Sequence, residues 1–205
     1  MTVPNVWVLD NNLLAFALKS GAEDAVAQAI ERMRPGDDVV TVEHVLGELK
    51  RSGVLWPRWL QSALRRALKE IPIEVGSDEE LHYDAMMNAL SATRRDAGLR
   101  DLGERACIAV CTTLQGAIFV SHDAGSMRLA IAETARVSPA RARAATTSEM
   151  LRVLRERGAL PWDAVDAIVK TRGTDSRKLP DPSWWPDWLA ARGPAAPHPN
   201  KPPTV

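Results

Sequence analysis

The feature that most constrains this chain is an alternation of short β-forming runs with longer helical stretches. Val6-Trp7-Val8-Leu9 is too short for a helix and rich in β-formers, which predicts a buried parallel strand ending at Asp10. Asp38 to Val42 reads as a second such strand and Ala117 to Ser121 as another, followed directly by His122 and Asp123. Ala144 to Thr146 reads as a short last strand. Helical periodicity fills the gaps, over Asn12 to Lys19, Ala22 to Met33, Glu43 to Arg51, Glu104 to Leu114 and Ala124 to Ala135. Strands that alternate with helices in this way predict an α/β fold, a three-layer α/β/α sandwich around a mostly parallel sheet.

The middle and end of the chain are read from their punctuation. Pro57 to Glu70 is an amphipathic stretch with proline in its first turn, which predicts one helix. Ile71-Pro72-Ile73-Glu74-Val75 alternates and suits an edge strand, the place where a sheet tolerates proline. Ser77-Asp78-Glu79-Glu80 has capping-box spacing and predicts a helix running to about Ala97. Thr146-Thr147-Ser148-Glu149 does the same for a helix to Arg157, and Pro161-Trp162 opens another to Lys170. These readings divide the 205 residues into an α/β domain over 1–157, a helical and tryptophan-rich extension over 158–191, and a Pro- and Ala-rich tail over 192–205 predicted to be disordered.

Charge and cysteine content narrow the setting. Lys and Arg number 26, as do Asp and Glu, so the chain is not a basic coat for nucleic acid, and any RNA contact must come from a local patch or a bound ion. The two cysteines, Cys107 and Cys111, lie four apart in a predicted helix, where they do not form a disulfide; two small buried residues in a reducing, cytoplasmic compartment is the expectation. No signal peptide is read at the N-terminus and no membrane span is expected, because no apolar run is long enough.

Acids fall where ligands bind in open α/β sheets, beyond the carboxyl ends of the strands. Asp10 ends the first strand, Asp123 follows the Ala117 to Ser121 strand, and Glu48 lies in the helix after the second strand. Glu104 lies in the first turn of the helix leading to the Asp123 strand. Carboxylates that converge repel one another unless a divalent cation intervenes, and hard oxygen donors suit Mg²⁺ or Mn²⁺. Each acid also has a plainer use. An aspartate after a strand is commonly a helix N-cap, Asp101 and Glu104 have capping-box spacing, and Glu48 fits a solvated helix face.

Four segments carry a family resemblance. Val8-Leu9-Asp10-Asn11-Asn12 is similar to the opening motif of PIN domains, an apolar strand and then Asp-x-Asn. Val45-Leu46-Gly47-Glu48-Leu49 resembles the second acidic motif of that family. Gly103-Glu104-Arg105-Ala106-Cys107-Ile108-Ala109 resembles its Gly-Glu-x-x-x-Ile-Ala motif, and Ser121-His122-Asp123 its closing Ser/Thr-x-Asp. The resemblance covers about Val3 to Arg157. It implies metal binding and catalysis by Asp10, Glu48, Glu104 and Asp123, with Asn12 and Ser121 as supports. The third motif has Glu where many relatives have Asp, so Asp101 is a further candidate for that role. The implied activity is Mg²⁺- or Mn²⁺-dependent cleavage of single-stranded RNA, as in VapC-like toxins, with a homodimer and an antitoxin protein as partners. The long segment Ser52 to Gly98 and the tail beyond Arg157 depart from a compact toxin.

Arg94, Arg95, Arg100 and Arg105 bracket the third motif and are candidates for holding RNA phosphates, for which a solvated basic face is the alternative. Arg65, Arg66 and Lys69 read as an ordinary solvated helix face, and His44 as structural or exposed. Trp184, Trp185 and Trp188 are expected to pack the C-terminal segment back onto the domain. A non-catalytic nucleic-acid or protein-binding module on the same fold is the alternative function. A dehalogenase-type phosphatase needs a second Asp two residues after the first, where this chain has Asn12, and a receiver domain needs a late strand-end Lys that is not found.

Overall fold

The computed structural model describes residues 4–34, 36–93, 102–138 and 143–172. Asp101, Arg94, Arg95, Arg100, the three C-terminal tryptophans and the 192–205 tail lie outside the described residues.

Five strands, β1 (Asn5–Leu9), β2 (Asp37–Val42), β3 (Lys69–Ile71), β4 (Ala117–Ser121) and β5 (Ala144–Thr146), make one sheet in the order β3-β2-β1-β4-β5. Every pairing is parallel, with Val8 of β1 opposite Val40 of β2 and Phe119 of β4. The helices are α1 (Asn11–Ser20), α2 (Glu23–Met33), α3 (Glu43–Arg51), α4 (Leu55–Gln61), α5 (Ala63–Ala67), α6 (Asp78–Thr93), α7 (Leu102–Thr113), α8 (Ala124–Val137), α9 (Thr147–Gly158) and α10 (Trp162–Arg172). The architecture is the expected α/β sandwich, and all the strand pairs, rather than most, are parallel.

Parallel strands covered on both faces read as continuous apolar runs, and β4 is buried at every position. Trp7, Leu9, Ile118 and Phe119 are fully buried and fill the middle of the sheet. One group of helices packs α2 on α9 and α1 on α10; the other packs α7 between α6 and α8. Helix α3 touches both α1 and α7, which sets it beside the carboxyl ends of the central strands. At the opposite, amino end, buried Asp37 accepts from the Trp7 indole at 3.4 Å and pairs with Arg157 at 3.5 Å, a structural use of a carboxylate. Among the described residues no helix is long and apolar enough to cross a membrane.

Two expectations are corrected. The single helix over Pro57 to Glu70 is two short ones, α4 and α5, broken at Ser62, which is extended (φ −74°, ψ 151°). Its hydroxyl donates to the Trp59 carbonyl at 2.9 Å and accepts from the Arg65 amide at 3.4 Å, the local side-chain competition by which serine interrupts a helix. The edge strand lies earlier than Ile71 to Val75, over Lys69–Ile71, and it stops before Pro72, which has no N–H for a ladder. The Ser77 hydroxyl caps α6 through the Glu80 amide at 3.2 Å, but the Glu80 carboxylate reaches past Ser77 to the Gly76 N–H at 2.6 Å. The capping box at Thr146 and Glu149 is complete, with both reciprocal bonds present.

Candidate functional site

Strand order reverses between β1 and β4, and the crevice beyond the carboxyl ends of those two strands is where an open parallel sheet binds ligands. Asp10 leaves β1 into this crevice and is almost wholly buried. It is also the N-cap of α1, with Oδ1 accepting the Asn12 amide and Oδ2 the Asn12 side-chain amide, both at 2.8 Å. The Ser121 hydroxyl, buried at the end of β4, bonds the same carboxylate. Burial pushes the Asp10 carboxyl up to about 6; the bonds from Ser121 and Asn12 work against that rise, and the charge of Glu48 adds to it.

Ser121 passes the connection on. Its oxygen accepts the Asp123 amide at 3.0 Å. Asp123 is exposed and caps α8, with Oδ1 accepting the Ser126 amide at 2.8 Å. The Ser126 hydroxyl then donates to Oε2 of Glu104 on α7. On the same helix, the Gly103 amide donates to Oε1 of Glu48 at 2.9 Å. Asp10, Ser121, Asp123, Ser126 and Glu104 therefore form one hydrogen-bonded chain, and Glu48 joins through the residue beside Glu104. The fit is tight at Gly103, where a Cβ would stand 2.9 Å from Oε1 of Glu48 and 3.0 Å from Val45.

The floor of the crevice is Cys107. Its thiol, buried on α7, donates to the Leu9 carbonyl at 3.4 Å, and the Thr41 hydroxyl donates to the same oxygen at 3.1 Å. Burial pushes the thiol well above its ordinary value, and the charges of Asp10, Cys111, Glu48 and Glu104 add to the rise. Cys111 is likewise buried, and neither cysteine is in a disulfide.

At least three of the four acids satisfy helix N-termini. Asp10 caps α1, Asp123 caps α8, and Glu48 takes an amide in the first turn of α7, where backbone N–H groups have no intrahelical acceptor. The plainer reading of these carboxylates as caps is therefore correct for both aspartates, alongside any ligand role. Among the described residues, no three Asp, Glu, His or Cys side chains are arranged as a metal-holding group. The donor set nonetheless suits a hard cation: several carboxylate oxygens, with hydroxyl and amide groups that fix carboxylate orientation.

Arg105 is half-buried and donates to the Met86 carbonyl of α6 at 3.4 Å, so it ties α7 to α6 beside the acids. His44, one turn before Glu48, packs its ring 4.9 Å from that of Tyr83. His122 stands edge-on to Phe16 at 5.8 Å. Ser126, Gly103 and Cys107 were not singled out as site residues from the sequence. Ser126 had a local signal, since it stands three residues after an aspartate that follows a strand, the spacing of an N-cap and its amide donor. No protein-family model, no curated protein and no solved structure matches this chain.

Proposed function

We propose that the protein is a divalent-metal-dependent endoribonuclease that cleaves single-stranded RNA. The observation that carries this reading is the linked arrangement of Asp10, Glu48, Glu104 and Asp123 at the crevice between β1 and β4. The four carboxylates would hold Mg²⁺ or Mn²⁺, which when bound polarises a phosphodiester and offsets the charge that builds on it. The chain's own groups do the rest. Ser121 and Asn12 fix the Asp10 carboxylate, Ser126 fixes Glu104 relative to Asp123, and the Gly103 amide orients Glu48. Arg105, with Arg94, Arg95 and Arg100 in the neighbouring sequence, supplies cations for RNA phosphates. Neither cysteine is a nucleophile here, because burial holds both thiols protonated. Pairing with an antitoxin and homodimer formation belong to the same proposal, and the RNA target would be set by the surrounding loops.

The test is cleavage of a panel of single-stranded RNAs with Mg²⁺, with Mn²⁺ and with chelator, beside an Asp10→Asn/Asp123→Asn double variant. Cleavage that needs the metal and is lost in the variant is expected. No cleavage of any RNA, together with no Mn²⁺ binding by calorimetry, would sink the reading in favour of a binding module on this fold.

A further inference from the structure

Across α3 from the carboxylates lies a cavity of about 380 Å³, at the small end of the range for ligand sites. Trp56, Trp59 and Leu46 are among its walls. Trp59 is buried, while Trp56 is only partly so. The rim carries two cations, Lys50 and Arg65, and two carboxylates, Glu43 and Glu70, all four exposed. Neither Lys50 nor Arg65 forms an ion pair with a described residue. Thr41, another lining residue, bonds the Leu9 carbonyl that also receives the Cys107 thiol, immediately before Asp10.

The chemistry of the lining selects among occupants. A free anion would meet the cations but be repelled by Glu43 and Glu70. An apolar side chain would satisfy the tryptophans and use none of the four charges. One nucleotide of a single strand uses every group: its base stacks on indole, its phosphate meets Lys50 and Arg65, and its amino or hydroxyl groups donate to the carboxylates. Leu46 and Lys50 stand two positions either side of Glu48, which at 3.6 residues per turn places them across the helix from it. A strand laid over α3 thus reaches from the acidic crevice to the cavity within a few nucleotides.

We infer that this cavity seats a nucleotide of the RNA flanking the cleaved phosphate, with Trp56 as the stacking wall and Lys50 and Arg65 as phosphate contacts; the inference rests on the ribonuclease reading. It makes the cavity a determinant of which RNA is held, separate from the groups that act on the phosphodiester.

The experiment has two arms. In the first, Asp10→Asn protein is photo-crosslinked to single-stranded RNA containing 4-thiouridine, digested with trypsin and ribonuclease, and mapped by mass spectrometry. Crosslinks are expected on the peptide that runs from Ser52 to Arg58 and contains Trp56. In the second, steady-state cleavage is measured for Trp56→Ala, Trp56→Phe and the surface pair Lys50→Gln/Arg65→Gln. KM is expected to rise roughly fivefold or more in Trp56→Ala and in the pair, with kcat within about twofold and Trp56→Phe close to native. The lysine–arginine pair keeps the test intact if Trp56→Ala fails to fold. Crosslinks confined to other peptides, or an unchanged KM in the pair, would overturn the cavity assignment while native cleavage preserves the ribonuclease reading. Native protein that neither cleaves nor crosslinks any RNA would overturn both.

Discussion

The carboxylate of Glu48 accepts the backbone N–H of Gly103 at 2.9 Å, and a methyl group at Gly103 would lie 2.9 Å from that same oxygen. The absence of a side chain at position 103 is what lets α3 deliver its acid to the first turn of α7. Gly103→Ala is therefore expected to push Glu48 aside and press on buried Val45, at a cost of about 1–3 kcal/mol in stability. Urea unfolding checks the stability change, and Mn²⁺ titration checks the site. An unchanged Mn²⁺ affinity would show that this glutamate does not bind the ion.

Ser126 offers a cleaner separation, because its two bonds come from different parts of the residue. Its amide caps through Asp123, and its hydroxyl holds Glu104. Ser126→Ala keeps the first and removes the second. The expected result is a stability loss of about 0.5–1.5 kcal/mol and a roughly tenfold weaker metal affinity, restored in part by Ser126→Thr. Calorimetry with Mn²⁺ on the three proteins reads this directly.

Asp10 gives a dependence on pH with a definite sign. Its carboxyl is raised from 3.8 to about 6 on folding, so the folded protein binds this proton more tightly than the unfolded chain. The stabilising contribution is complete below pH 4 and is lost as pH rises through 6, about 3 kcal/mol in all. Chelator-treated protein should carry this loss between pH 4 and 7, and Asp10→Asn should lack it. The gain for Asp10→Asn at pH 7 is expected to be smaller than the full amount, because its new NH₂ faces the donors of Asn12. Added Mg²⁺ should raise Tm more at pH 7.5 than at pH 5. Equal shifts at the two pH values would show that no cation sits beside this carboxylate.

A control lies far from the crevice. Gly158 ends α9 against α2, and a Cβ there would meet the Ala29 carbonyl oxygen at 2.4 Å. The contact is backbone, so the helices themselves must part. Gly158→Ala is expected to cost about 3 kcal/mol or more by urea unfolding, while the folded fraction keeps native Mn²⁺ affinity.

The alternation of strands and helices was legible because a parallel sheet covered on both faces requires unbroken runs such as Val6 to Leu9 and Ala117 to Ser121. Asp10 and Asp123 could be placed for the same reason, since each directly follows such a run or nearly so. The break at Ser62 was hidden because its cause is a side chain competing for backbone groups within an otherwise helical pattern. Gly103 and Cys107 were illegible as site residues because their roles depend on partners 55 and 98 positions away in the chain. Arg65 looked like one member of a solvated basic face. Its place beside Trp56 and Glu70 follows from the fold of α4, α5 and β3 around a cavity, which no local pattern records.

The capping duties of Asp10, Glu48 and Asp123 bear on how such a chain would drift over generations. Each of these acids is retained by helix stability whether or not any chemistry is done, so purifying pressure on them has two sources. Glu104 accepts the Ser126 hydroxyl, which ties the first turn of α7 to the first turn of α8. A saturation library of this protein selected for folding alone should therefore keep acids or their capping substitutes at positions 10, 48 and 123. The same library selected for RNA cleavage should hold all four.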